Sequence, residues 1–201
     1  MLTDIIIEAK LNEAPVREMD FDNETVTELD ISKTDFEFVR FSKCRFVACN
    51  FTKTNMNHVL FEDSDISNCI FASSYWKKAE IIKCKATGCD FSQTFFKETE
   101  MTESAFNYAN CVKTTWNNCE IRNCDFKEAF MSEVKFKVIK LSGVNLTHVD
   151  FYKTPLKGIN LSNCEIDGIM LSDTYAELRG AKINMYQAAE IARLFGVQVV
   201  S

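Results

Sequence analysis

Histidine is nearly missing from this chain: 201 residues hold two, His58 and His148. The nine cysteines include no Cys-x-x-Cys pair, so the spacing of a zinc site is absent and no metal ligand is assigned. Spacing places no serine, cysteine or carboxylate beside either histidine. No catalytic residue can be named, which argues against an enzyme. The six glycines form no phosphate-cradling motif, and no cofactor is implied. No apolar run approaches the ~18 residues of a membrane-spanning helix. The N-terminus, Met1-Leu2-Thr3-Asp4-Ile5-Ile6-Ile7-Glu8, lacks the basic region of a secretory signal. A soluble, cytoplasmic protein with a formal net charge of -6 is the expectation.

What is present is a period of five. Every fifth residue from Phe21 to Leu171 is apolar, with no slip: the column opens Phe21, Val26, Ile31, Phe36 and closes Leu156, Leu161, Ile166, Leu171. A helix repeats every ~3.6 residues and a strand every ~2, so this period fits neither. A strict short repeat points to a solenoid of near-identical units. A second column, two residues earlier, holds small side chains such as Thr54, Cys69, Ala79 and Cys124. Each unit therefore sends one large and one small side chain inward and three to water. Cys111 lies in the large column and the other cysteines in the small one, where a thiol is a compact side chain that buries well. The aromatic stripe reads as core, since the period accounts for it.

Asp or Asn often precedes the column residue, as in Asp35-Phe36, Asp90-Phe91 and Asp150-Phe151. The resulting pattern, seen in Cys49-Asn50-Phe51-Thr52-Lys53 and Cys124-Asp125-Phe126-Lys127-Glu128, resembles the pentapeptide-repeat family. That resemblance implies an all-β solenoid: a right-handed quadrilateral β-helix with four pentapeptides per coil and about eight coils, roughly 38 Å long at ~4.8 Å per coil. It does not imply one function. With such coils Cys49, Cys69 and Cys89 stack on one face within disulfide reach, although a reducing cytosol favours free thiols. Gly88, Gly143, Gly158 and Gly168 fall two residues after a column residue, where a corner must turn.

The chain divides into an N-terminal cap or arm (1–20), a β-helix (21–176) and a C-terminal helix-and-strand module for dimerisation (177–201). Met19 and Glu24 fit the small column poorly, and Pro15 suits a non-repetitive segment. Near the end, Asn184 followed by Gln187 forms a capping-box signature. It predicts a helix from Met185 to Phe195, stopped at Gly196, and Val197-Gln198-Val199-Val200 reads as a final strand. Gln187, Glu190 and Arg193 make one narrow polar stripe. Met185, Tyr186, Ala189, Ile191, Ala192, Leu194 and Phe195 offer more apolar surface than one solenoid end can hide. They are the expected interface of a two-fold homodimer, against the alternative of a monomeric cap. The step Leu178-Arg179-Gly180-Ala181 and the helix after it resemble the C-terminal module of Qnr-type quinolone-resistance proteins. Those are dimeric, DNA-mimicking rods that bind DNA gyrase and topoisomerase IV and protect them from fluoroquinolones. Here the unbroken register leaves no room for a projecting loop.

Faces can be numbered by their column residues: one (Phe41, Phe61), two (Phe46, Ile66), three (Phe51, Phe71) and four (Phe36, Met56). Faces one and two are net acidic. Glu62, Asp63, Asp65, Glu80, Glu100, Glu103, Glu120 and Asp125 are the candidate gyrase contacts. Face four carries Lys77, Lys78, Lys97, Lys135, Lys137 and Lys157 against Glu98, with Tyr75 and Phe95 pointing outward. The plain alternative is a solvated rod whose charge asymmetry means nothing. Three functional readings are open: a topoisomerase-binding DNA mimic, a scaffold or adaptor that binds through the lysine and aromatic face, and direct nucleic-acid binding by that face. The first is preferred and the last disfavoured.

Overall fold

A chain that alternates one large and one small inward residue can close a flat coil and stack it on the next. In the computed structural model, which describes residues 1–200, it does so every 20 residues: Phe36 lies opposite Met56, Phe41 opposite Phe61, and Asp30 opposite Asn50. Helix α1 (Leu2–Leu11) comes first. The strands are β1 (Val16–Asp22), β2 (Thr25–Thr27), β3 (Asp35–Ser42), β4 (Arg45–Val47), β5 (Asn55–Asn57) and β6 (Leu60–Glu62). They continue with β7 (Tyr75–Lys77), β8 (Glu80–Ile82), β9 (Phe95–Lys97), β10 (Glu100–Thr102), β11 (Thr115–Arg122) and β12 (Lys135–Ser142). Helix α2 (Met185–Leu194) follows a 3-10 turn at Ala176–Leu178. All strand pairs are parallel, as successive coils of a solenoid must be.

On face four the ladder runs β1–β3–β5–β7–β9–β11–β12. Those pairings make about six turns, fewer than the eight coils read from the sequence. The difference arises at the C-terminal end, since at the N-terminal end pairing starts early. Pairing begins at Val16 opposite Phe36, one pentapeptide before Phe21. Beyond β12 the strand-bearing faces one and four change to hydrogen-bonded turns, with Ile159 N donating to Leu156 O (3.0 Å) and Cys164 N to Leu161 O (2.8 Å). Faces two and three use such turns along most of the rod, as in Cys69 N to Ile66 O (3.1 Å) and Thr54 N to Phe51 O (3.2 Å).

Corners need a left-handed residue, and glycine supplies few of them. Lysine, glutamate, asparagine and others take φ between 48° and 62° instead. A non-glycine residue there costs about 1–2 kcal/mol. The cost is offset because the corner N–H donates to the next coil, as with Lys43 N to Glu62 O and His58 N to Lys77 O (both 2.9 Å). At Gly88 the missing side chain leaves room for Asn68 one coil below, whose Oδ1 would lie 2.5 Å from a Cβ and would have to shift.

Inward rings stack along the axis. Phe51, Phe71 and Phe91 lie 4.6 and 5.1 Å apart, and Phe96 lies 4.3 Å from Trp116. Buried indoles need an acceptor, which the small column supplies: Trp76 Nε1 donates to Ser74 Oγ (2.8 Å) and Trp116 Nε1 to Thr114 Oγ1 (2.9 Å). All nine cysteines are free and buried. Burial pushes the Cys84 and Cys111 thiols up to about 12.

Both ends are covered. Helix α1 buries Leu2, Ile6 and Ala9, and Lys10 Nζ holds the Asp30 carboxylate and carbonyl, each at 2.7 Å. At the other end Asn184 and Gln187 form the capping box expected from the sequence. Two readings of this end change. Val197–Val200 is not a strand: these residues pair with no other segment as a β-ladder. Gln187 does not face water with Glu190 and Arg193; it is buried, and its Nε2 donates to the carbonyls of Leu161 (2.8 Å) and Cys164 (2.7 Å). Among the described residues no helix is long and apolar enough to cross a membrane.

Candidate functional site

Register places the acidic residues of face one. Glu80, Glu100 and Glu120 are directly opposite one another in β8, β10 and β11 and form a file along the rod. Glu62 ends β6, and Asp63 and Glu103 hold left-handed corners beside the file. Asp65 and Asp125 lie around the edge on face two, where each Oδ1 accepts a backbone N–H two residues on, from Ser67 and Lys127 at 3.0 Å. Asp125 also accepts from Asn107 (2.7 Å). These two carboxylates are thus partly engaged in local structure.

Face one is not a continuous acidic strip. Arg40 pairs with Glu62, and Arg122 pairs with Glu100 (2.9 Å) and Glu120 (2.8 Å). Asp63, Glu80 and Glu103 have no ion-pair partner among the described residues. The arginine pairings follow from stacking, since Arg40–Glu62 and Arg122–Glu100 are each one coil plus two residues apart. Assigning charges to faces without pairing neighbours across coils misses them.

The opposite signal lies on face four. Tyr75 stacks on Phe95 (5.6 Å), and Lys137 Nζ sits 5.7 Å from the Phe95 ring centre. Phe38 and His58 stack at 4.5 Å on an earlier part of the same face. No group of three or more His, Cys, Asp or Glu among the described residues is arranged to hold a metal ion.

The proposed interface residues of α2 divide in two. Met185 (85% exposed), Tyr186 (86%) and Phe195 (57%) stand out in solvent. Ala189, Ile191, Ala192 and Leu194 are half-buried, with Ile191 and Leu194 against the solenoid core. Tyr175 positions the helix end: its hydroxyl donates to Leu194 O (2.9 Å) and its ring lies 4.5 Å from that of Phe195.

Parallel coils of 20 residues, with one large and one small inward residue per five, define a pentapeptide-repeat β-solenoid. The family model for pentapeptide repeats matches residues 30–71, with eight copies, and that segment carries these repeats. Its fold is similar to that of QnrB1, a plasmid-mediated fluoroquinolone resistance protein. One trypsin-treated form of QnrB1 aligns over 93% of this chain and 100% of its own at 22% identity, TM-score 0.58. A second such form aligns over the same shares at 20% identity, TM-score 0.51. HetL, a pentapeptide repeat protein involved in heterocyst differentiation regulation in a Nostoc cyanobacterium, aligns at 12% identity over 88% of this chain and 94% of its own, TM-score 0.30. No curated protein sequence matches this chain significantly.

Proposed function

We propose that this chain is a binding protein, without catalytic activity, whose acidic face takes the place of duplex DNA on DNA gyrase or topoisomerase IV and so protects against fluoroquinolones. The observation that carries the reading is the in-register file Glu80–Glu100–Glu120, widened by Asp63 and Glu103. Carboxylates repeated every coil, ~4.8 Å apart, form a rigid row; Arg122 offsets Glu100 and Glu120, so the net negative charge comes from Glu80, Asp63 and Glu103, which have no ion-pair partner among the described residues. Fold similarity to QnrB1 supports the reading as analogy only. The exposed Met185, Tyr186 and Phe195 complete it: a second copy docked on them doubles the rod about a two-fold axis. The setting would be the cytoplasm.

The test is a supercoiling assay with purified gyrase, titrated with this protein with and without a fluoroquinolone. Rescue of supercoiling in the presence of drug is expected. Glu80→Lys with Glu103→Lys should weaken it at least about tenfold, since like charges would then face the enzyme's DNA groove. Absence of any effect at micromolar protein sinks the reading.

A second reading rests on the Tyr75–Phe95 stack and the lysines around it: a scaffold or adaptor that binds an acidic partner through face four. It predicts no topoisomerase effect and loss of the partner in Tyr75→Ala and Lys97→Glu variants. Direct nucleic-acid binding by this face is disfavoured and would appear as salt-sensitive oligonucleotide retention.

A further inference from the structure

Face one carries five cations: Arg40, Lys43, Lys83, Arg122 and Lys140. Among the described residues, only Arg122 is ion-paired to the file Glu80–Glu100–Glu120. Register explains why. Arg122 ends β11 two residues after Glu120, and residues two apart in a strand point the same way. Glu100 lies opposite Glu120 one coil back. The guanidinium therefore reaches both. Its Nη1 lies 2.8 Å from Glu120 Oε1, and its Nη2 donates to Glu100 Oε2 at 2.9 Å. A guanidinium often grips one carboxylate with two nitrogens. Here the nitrogens are divided between successive coils, so one positive charge is shared by two members of the file.

The other cations do not do this. Arg40 is in register with Leu60, and Leu60 with Glu80. An apolar rung thus separates Arg40 from the file, and Arg40 pairs instead with Glu62. Lys43, Lys83 and Lys140 are in no ion pair among the described residues. Nor does a change of pH relieve the file of its cation. The Glu120 carboxylate, followed by that of Glu100, holds the Arg122 guanidinium above its already high range, so it stays charged at every working pH. Glu80 is left as the one member of the file without an ion-pair partner among the described residues.

We propose that Arg122 is a built-in counter-ion that limits the affinity of the acidic file for its partner. This role rests on the proposed function, in which the file takes the place of DNA on gyrase or topoisomerase IV. A groove that holds phosphates is lined with positive charge. Arg122 sets a like charge against it within the row, and juxtaposed like charges oppose docking. The ion pairs to Glu100 and Glu120 lie at the surface, where such pairs contribute little to stability. The fold therefore gains little from Arg122, and its charge is felt chiefly in binding.

The test measures binding of the full chain to immobilised gyrase at ~0.05 M and ~0.5 M salt. Four proteins are compared: wild type, Arg122→Gln, Arg122→Lys and Arg40→Gln. Arg122→Gln keeps a polar side chain and removes the charge. It should bind about three- to tenfold more tightly than wild type at low salt, and the gain should shrink at high salt as the charges are screened. Arg122→Lys keeps the charge and should match wild type within about twofold. Arg40→Gln, outside the file, should gain less than Arg122→Gln. An affinity of Arg122→Gln equal to or below that of wild type overturns the proposal while leaving topoisomerase binding intact. An equal gain in Arg40→Gln also overturns it, because net charge would then suffice without position. Failure of all four proteins to bind removes the topoisomerase reading itself, and the role of Arg122 falls with it.

Discussion

The side-chain amide of Gln187 donates to the Leu161 carbonyl at 2.8 Å from the first turn of α2, with a second bond to Cys164 O. The last coil would otherwise present these carbonyls to a buried surface with one donor too few. Gln187→Leu keeps the bulk and removes the donor. A loss of about 1–3 kcal/mol is expected, the cost of leaving a buried polar group unpaired. Urea unfolding measures it, and a change within error would mean that α2 is held by its apolar contacts alone.

Thr114 plays the same part inside the rod, as acceptor for the Trp116 indole. Thr114→Val preserves shape and removes that acceptor. Destabilisation of about 1–3 kcal/mol is expected, together with a shift in tryptophan emission. Val39 already occupies this small column and is buried, so size alone does not forbid valine. An unchanged midpoint would show that the indole N–H has another partner.

Asp30 and Lys10 link α1 to the solenoid. The Lys10 ammonium, followed by Ser32, holds the Asp30 carboxyl at about 2, below its ordinary 3.8. A depressed carboxyl contributes stability above its ordinary value and loses it as pH falls toward the folded value. The wild type should therefore lose more stability than Asp30→Asn between about pH 4 and pH 2. Exposure of Asp30 keeps the difference small through solvent screening. Parallel pH profiles for the two proteins would refute the coupling.

The exposed side of α2 makes a claim about assembly. Met185→Glu with Tyr186→Glu places charge on the proposed two-fold contact without touching the half-buried Ile191 and Leu194. Sedimentation should show a dimer for the wild type and a monomer for the variant, with unchanged circular dichroism. A monomeric wild type would leave α2 as a cap only.

The period of five was legible because each coil obeys the same packing rule, and one unbroken column revealed it. The left-handed corners were harder to read: backbone bonds to the next coil hold them, so Lys43 and His58 serve as well as glycine. The end of strand pairing after β12 was hidden for a related reason. Leu156 keeps the apolar column intact through Pro155, and the fault is a missing N–H, which hydropathy cannot register. Gln187 looked polar and therefore outward, but its amide is needed inside because the coil below ends in open carbonyls. Acidic residues could be assigned to faces but not to partners, since the Arg40–Glu62 and Arg122–Glu100 pairs reach across coils.

No backbone hydrogen bond joins residues 135–142 to residues 155–162, and this thinly bonded rung also sets where the molecule should give way under load. A ladder pulled from its two ends transmits force through every rung, and the rung with fewest bonds bears it worst. Stretching this chain between Met1 and Val200 should first detach the C-terminal coils and α2 as one piece, at low force. The aromatic body from β1 to β12 should break later and at higher force. The rod is thus mechanically two units of unequal strength, joined through faces two and three and a single corner bond from Gly143 N to Asn163 O.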